Sequence, residues 1–344
     1  MLKDVAIIRP LLIVLLVFYH AFAPYSGAWP SIEGCPEVQA YWWLDKLSFA
    51  FILEMFVFIS GYVFGYQVRM KGEQKLKAKG LLWNKFKRLI VPSMIFSLLY
   101  IILLLDITQP IAKTLYGVVN GVGHMWFLPM LFWCFVGVWA IEKSHANHTV
   151  ALIGLLALSL VPMVNLPLRL SATMYYLFFF YSGYVLQRDG VDMRKLETPK
   201  TAVALTLSFV VFFPLLTLLK ESVVSLGLGE NHLIIRALQE FIKHVCKVLY
   251  SSLGIAMMLS IIRLQLNRRH RPIPEWAMFV GKLSMGVYLF QQFVLKGLYN
   301  YTSLPATLGA YMLPWIGFAV AMAASLALSW VMSQSRAGRF VLGG

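Results

Sequence analysis

Charged side chains are scarce in this sequence. Asp, Glu, Lys and Arg together make up 13% of the 344 residues, about half of the ~25% that soluble proteins usually contain. Hydrophobic residues account for 59% of the chain, more apolar surface than a soluble core can hide, whereas a lipid bilayer accepts that surface as solvent. The composition excludes an ordinary soluble domain and predicts an integral membrane protein.

Cysteine and acidic residues are also few. Cys35, Cys134 and Cys246 are too scattered for a disulfide framework or a metal site, and we expect Cys134 to be a small core residue. No His-Glu-x-x-His pattern or carboxylate cluster suggests a metal. Only 15 Asp and Glu oppose 30 Lys and Arg. Because the basic residues fall in short loops between apolar segments, we expect no nucleic-acid partner and attribute the charge to membrane topology.

Long apolar segments are abundant. A membrane-spanning helix needs about 20 mostly apolar residues. Ten segments are predicted to span the membrane: 5–24, 46–68, 86–106, 124–141, 149–166, 171–187, 201–219, 244–263, 276–297 and 308–332. The first has no signal-peptide cleavage site of the expected form, so we expect it to stay as a helix. The sequence predicts an all-α polytopic protein, with one membrane-embedded domain over 1–344 and no soluble domain.

The loops between these segments indicate an orientation. Of the 30 Lys and Arg residues, 21 fall on the side of the two termini and eight on the other side or its span ends. Cytoplasmic loops carry the excess of Lys and Arg in membrane proteins. We therefore predict that both termini are cytoplasmic, which requires an even number of spans and agrees with ten.

Polar groups inside the predicted spans are the first candidates for function, because each costs several kcal/mol unless it is paired or hydrated. Arg9 and His20 are eleven positions apart in the first span, about three turns and roughly 16 Å of helix, so they share one face. Arg9 also fits an interfacial anchor, and His20 a hydrogen-bonded packing residue. Glu54 enters the second span at a depth comparable to that of His20, where it would orient the imidazole and stabilise its cation. A structural ion pair is the alternative for Glu54, and Gly61 is expected to allow close helix packing.

Five motifs, in order along the whole chain, resemble those of the membrane-bound acyltransferase-3 family of bacterial carbohydrate O-acyltransferases. The first is the R-x10-H spacing of Arg9 and His20. The others are E-M-F-V-F-I-S-G-Y over 54–62, K-F-K-R-L-I-V-P over 85–92, H-M-W-F-L over 124–128 and S-M-G-V-Y-L over 284–289. One position departs from the pattern: the family often has histidine two residues after the Y-L pair, and here that position is Gln291. Glutamine cannot shuttle a proton near neutral pH, which puts a proton-transfer role there in doubt.

The resemblance implies transfer of an acyl group, commonly acetyl, from acyl-coenzyme A to a hydroxyl of a cell-surface or lipid-linked carbohydrate. It also implies a location in the bacterial cytoplasmic membrane. We hypothesise that His20 is a general base or carries the acyl group, with Glu54 and Arg9 completing the catalytic group. Arg9, Lys87 and Arg88 would hold the anionic phosphates of the donor.

Four further residues are expected near the acceptor: His124, Trp126, Tyr288 and Gln291. For His124 and Trp126 an interfacial aromatic belt competes equally with a sugar-stacking platform, and for Tyr288 packing is the alternative. A transporter or flippase of lipid-linked glycans is the competing function, although neither repeat symmetry nor matched broken helices are evident. A non-catalytic scaffold of the same fold is a third. The sequence does not determine the oligomeric state.

Overall fold

The computed structural model describes residues 2–32, 38–105, 110–161, 166–225, 233–269 and 272–343. Within these ranges the regular structure is helical and contains no β-strand, which confirms the all-α prediction. The α-helices are α1 Lys3–Phe22, α2 Gln39–Phe49, α3 Ile52–Lys71, α4 Ala78–Lys85, α5 Val91–Leu104, α6 Ile111–Asn120, α7 Phe127–Lys143, α8 His148–Leu160, α9 Leu170–Arg188, α10 Pro199–Ser225, α11 Leu233–Arg269, α12 Glu275–Tyr301, α13 Leu304–Ser333 and α14 Arg336–Val341.

Eight helical stretches in the described part of the chain are long and apolar enough to cross a membrane. They are Lys3–Tyr25, Gln39–Lys71, Ala78–Leu104, Gly123–Lys143, Pro199–Ser225, Ile234–Asn267, Glu275–Tyr301 and Tyr311–Ser333. Each corresponds to one of the ten predicted spans, and together they confirm a polytopic membrane protein. The orientation of the termini depends on loop charge alone and stays a prediction.

The other two predicted spans also form helices, but these helices are not among the eight that are long and apolar enough to cross a membrane. Segment 149–166 contains α8, whose 13 residues cover only about 20 Å at 1.5 Å per residue, so this helix is shorter than predicted. Residues 162–165 lie outside the described ranges. Segment 171–187 forms α9, which is long enough at 19 residues but rich in Tyr, Ser and Thr.

The chain divides into two compact units. Unit 1 comprises Met1–Ile8, Leu53–Trp83 and Trp133–Pro272, and unit 2 comprises Arg9–Ile52, Asn84–Phe132 and Ile273–Gly344. Cys134 and Cys246, both in unit 1, are buried free thiols, as expected for Cys134, and Cys35 lies outside the described residues.

In unit 1, helices α3 and α9 approach each other closely through glycine. A Cβ atom at Gly61 would lie 1.9 Å from the carbonyl oxygen of Phe180, and one at Gly65 would lie 2.1 Å from that of Tyr184. Gly183 meets Phe58 in the same way from the α9 side. Small residues four apart allow helix backbones to touch in membranes, so the predicted packing role of Gly61 is confirmed.

In unit 2, the basic motif that ends at Pro92 forms an irregular helical junction. Helix α4 ends at Lys85, a π-helical turn covers Phe86–Ile90, and α5 begins at Val91 with Pro92 in its first turn. Proline suits this position because its missing N–H would have no helical partner there. A π-helical turn inserts an extra residue into the helix and so changes the direction in which the neighbouring side chains point. Such turns are frequent at functional sites. This one carries Lys87 and Arg88.

Candidate active site

His20 lies near the end of α1 and is 7% exposed. Its Nε2 atom lies 2.9 Å from Nε2 of Gln292 on α12. Its Nδ1 atom is buried and has no hydrogen-bond partner among the described residues. The imidazole is thus oriented through Nε2.

Helix α12 presents its polar residues on one face. Tyr288, Gln292 and Lys296 recur every four positions, and Gln291 follows Tyr288 by three, which places them on neighbouring turns of one side of a helix. Gln291 and Gln292 are 0% and 5% exposed. Both amide atoms of Gln291 are buried without a hydrogen-bond partner among the described residues. Leaving a buried amide unpaired costs about 1–3 kcal/mol for each group, so Gln291 lowers the stability of the folded protein.

His124 is the second buried imidazole of unit 2. Its ring centroid lies 6.4 Å from that of His20 and 5.1 Å from that of Tyr288. Its Nε2 lies 3.2 Å from the carbonyl oxygen of Leu289, so in the neutral ring Nε2 carries the proton and donates to that oxygen. The Nδ1 lone pair is buried without a partner among the described residues. The hydroxyl of Tyr288 donates to the backbone oxygen of His124, which fixes this residue against α12.

Lys296 brings a positive charge to the same group of residues. Its Nζ atom lies 5.3 Å from the ring centre of Trp29 and 5.2 Å from that of Tyr100. Cation–π contacts of this kind hold an ammonium group against aromatic faces. The charge is near enough to interact electrostatically with both His20 and His124. Unit 2 therefore combines two neutral bases, two amides and a cation, and we call His20, His124, Gln291, Gln292 and Lys296 the histidine cluster.

The three predicted donor-binding residues also belong to unit 2. Arg9 and Arg88 are exposed, and they lie close enough for their guanidinium groups to repel each other. Arg88 donates from Nε to the backbone oxygen of Gly343 at 2.8 Å. Lys87 is half-buried in the π-turn. Two guanidinium groups brought together in this way favour an anion such as a phosphate between them.

Glu54 has its partners within unit 1. Its carboxylate is 1% exposed, and its Oε1 atom lies 3.1 Å from both the hydroxyl of Tyr175 and Nζ of Lys247. The ammonium of Lys247 also lies over the rings of Tyr175 and Tyr176. The structure thus gives Glu54 the ion pair that was the alternative expectation for it. Its predicted role in orienting His20 stays a prediction, and the orienting hydrogen bond that His20 does have comes from Gln292.

Trp126 lies one residue before α7 and is half-buried. Its ring packs edge-on against Phe127, with centroids 6.2 Å apart. Of the four predicted acceptor residues, the structure gathers His124, Tyr288 and Gln291 through direct contacts or a shared helix face. It gives Trp126 a packing contact.

Sequence reasoning missed Gln292, Lys296 and Trp29. The pair Gln291-Gln292 inside an apolar span was a usable signal, because two adjacent amides in a span need partners. Lys296 was counted only as a loop charge. Trp29 carried no signal, because a tryptophan in a loop near a membrane surface is ordinary.

Comparison with protein families identifies the chain. The model of the acyltransferase-3 family, described as an acyltransferase domain, matches residues 2–334. Comparisons with curated proteins and with solved structures find no match. The match covers nearly the whole sequence, including both the histidine cluster and Glu54. The chain therefore belongs to the acyltransferase-3 family, and it is a membrane-embedded acyltransferase.

Proposed function

We propose that the protein is an O-acyltransferase that moves an acyl group, acetyl in the first instance, from acyl-coenzyme A to a hydroxyl of a cell-surface or lipid-linked carbohydrate. We place this activity in the bacterial cytoplasmic membrane. The observation that carries the proposal is the buried His20 of an acyltransferase, oriented through Nε2, whose Nδ1 has no hydrogen-bond partner among the residues that the structure describes.

His20 is the general base in this proposal. In the active tautomer Nε2 carries the proton and donates to the amide oxygen of Gln292, which is presented by a half-turn of that amide. Nδ1 accepts the proton of the acceptor hydroxyl while the hydroxyl oxygen attacks the thioester carbonyl carbon. The carbon–sulfur bond then breaks, and His20 returns the proton to the departing thiolate. The products are an ester and free coenzyme A, and His20 ends neutral.

Lys296 is suited to the negative charge that develops on the carbonyl oxygen. A preoriented cation in a site of low dielectric stabilises such an oxyanion more than water does. The two aromatic rings hold the ammonium without neutralising it, and none of the described carboxylates forms a salt bridge with it. No described carboxylate therefore competes with a developing oxyanion for this ammonium.

Arg9 and Arg88 are proposed to bind the donor's phosphates, with Lys87 beside them. Arg9 and His20 are separated by eleven residues of one helix, or roughly 16 Å of rise. The long, thin pantetheine arm of coenzyme A would cover that distance with the phosphates at Arg9 and the thioester at His20. Glu54 is proposed to support the site electrostatically from its ion pair with Lys247.

The test is acyl transfer by the detergent-purified protein, given radiolabelled acetyl-coenzyme A and a pooled cell-envelope glycan extract. His20→Ala should lower the rate of glycan labelling by about 10²- to 10⁴-fold, the usual contribution of a general base. His145→Ala, a change at an exposed histidine in the loop before α8, should keep the wild-type rate. Size-exclusion profile and melting temperature check that both variants fold.

A His20→Ala protein that folds normally and labels glycan at the wild-type rate would remove His20 from the mechanism. A wild-type protein that binds acetyl-coenzyme A but labels no glycan would disprove the carbohydrate acceptor. Absence of donor binding would disprove coenzyme A dependence.

A further inference from the structure

A cavity of about 480 Å³ lies in unit 2, between the end of α1 and the start of α2. Its described lining comes from residues 24–32 and 38–42, within the loop that the charge distribution predicts to be on the outer side. Ligand-binding pockets usually measure roughly 300–1,000 Å³. The volume is therefore that of a site for a small molecule or one part of a larger one. We call it the loop pocket.

The lining of the loop pocket is aromatic and polar, and none of its described lining residues is charged. Its aromatic side chains are Tyr25, Trp29 and Trp42, and its polar side chains are Ser26, Ser31 and Gln39. Aromatic rings pack on apolar C–H faces, while hydroxyl and amide groups exchange hydrogen bonds with hydroxyls. An uncharged ring bearing many hydroxyls combines both features. Ser31 and Gln39 offer a hydroxyl and an amide group to such a ring, and Trp29 and Trp42 offer aromatic faces.

Trp29 connects the loop pocket to the proposed base. Its ring lies 5.7 Å from that of His20, with the planes 22° apart, and it also lines the pocket. The backbone N–H of Trp29 donates to the carbonyl oxygen of Ala23 at 3.2 Å, and the Lys296 ammonium contacts its ring. Trp29 is therefore held in place, and its side chain both lines the pocket and stacks near His20.

We propose that the loop pocket is the acceptor subsite and binds a pyranose ring of the glycan, with Trp29 as the wall that the pocket shares with His20. This inference rests on the proposed function. It assigns acceptor recognition to the described lining residues within 24–32 and 38–42, apart from the predicted acceptor residues on α12. Trp29 and the lining residues select the sugar, and His20 performs the proton transfer.

The experiment fills the pocket and leaves the histidine cluster unchanged. Ser31→Trp places a large ring on the pocket wall, and Ala28→Trp adds the same ring at an exposed position of the same loop that does not line the pocket. We measure binding of radiolabelled pooled envelope glycan without donor, and then the glycan and acetyl-coenzyme A concentrations that give half-maximal transfer. Ser31→Trp should weaken glycan binding and raise the half-saturating glycan concentration by about tenfold or more, because the side chain occupies the site.

The half-saturating concentration of acetyl-coenzyme A should stay within about twofold of wild type in both variants, as for a surface change remote from the donor. Ala28→Trp should bind glycan as wild type does. Wild-type glycan affinity in a folded Ser31→Trp protein would overturn the subsite, and so would a change confined to the donor. If Ser31→Trp does not fold, Trp42→Ala takes its place, with the same loss of glycan affinity expected from removal of an aromatic surface.

These outcomes separate the two proposals. Glycan binding that is lost in Ser31→Trp and kept in Ala28→Trp supports the pocket even if the wild-type protein transfers no label, a result that would disprove the proposed function alone. Transfer by wild type with unchanged glycan affinity in Ser31→Trp would disprove the pocket alone.

Discussion

Glu54 in unit 1 and the histidine cluster in unit 2 differ in how their buried polar atoms are paired. In unit 1 the carboxylate of Glu54 has a cation at 3.1 Å and a hydroxyl at the same distance. In unit 2, His20, His124 and Gln291 each keep at least one buried polar atom without a hydrogen-bond partner in the described part of the chain. Burying a polar group is tolerated when it is paired and unfavourable when it is not. The comparison separates a carboxylate that the protein pairs by itself from a cluster that keeps hydrogen-bonding capacity for the proposed substrate.

The largest expected effect concerns the paired group. Lys247→Met leaves the Glu54 charge buried and without its cation, which should lower the free energy of unfolding by about 3 kcal/mol, the low end for a broken buried pair because the ammonium is partly exposed. Thermal and denaturant melting of the detergent-purified protein measure it. Lys243→Met, one turn earlier on α11, removes a surface pair with Glu240 and should cost less than about 1 kcal/mol.

The double variant Lys247→Met/Glu54→Gln sharpens this prediction. It should recover most of the lost stability, because no unpaired charge is left. Equal destabilisation by Lys247→Met and Lys243→Met would show that the Glu54 pair does not stabilise the fold.

The next effect concerns the hydrogen bond that orients the base. Gln292→Leu removes the partner of His20 Nε2 and leaves the ring free to turn, so kcat should fall by about 10²-fold as reactive geometry is lost. The melting temperature should change little. Gln334→Leu, at an exposed glutamine after α13, should keep the wild-type kcat. A Gln292→Leu enzyme with unchanged kcat would mean that His20 is oriented by another group.

The smallest effect tests the unpaired group directly. Gln291→Leu replaces an unsatisfied buried amide with an apolar side chain of similar size, so the protein should become more stable by about 1 kcal/mol. Glycan transfer should fall by about tenfold, because a hydrogen-bonding group for substrate is lost. Melting temperature and kcat/KM report the two changes. Loss of stability in Gln291→Leu would show that the amide has a partner in the folded protein and would remove the contrast between the units.

The sequence predicted much of the site but not its pairing. The motif containing Glu54 and the spacing of Arg9 and His20 placed three polar groups in the first two spans, where a bilayer tolerates them only for a reason. Depth along the helix made Glu54 a suitable partner for His20. Depth does not specify which neighbour a side chain meets, because that depends on helix rotation and on residues far away in sequence. Lys247 and Tyr175 reach Glu54 from α11 and α9, and Gln292 reaches His20 across 272 positions.

The sequence by itself determined the membrane-embedded helical class and the family. It also identified Arg9, Arg88, His20, His124 and Gln291 as candidate site residues. Long apolar runs must form helices in lipid, since every backbone polar group there needs an internal partner. Only the tertiary structure decided that α8 is short, that Glu54 is ion-paired, and that Trp29 links a pocket to His20. The Glu54 pair joins residues more than 100 positions apart, and the Trp29 contact depends on how the chain turns after α1, so no local pattern of side chains encodes either of them.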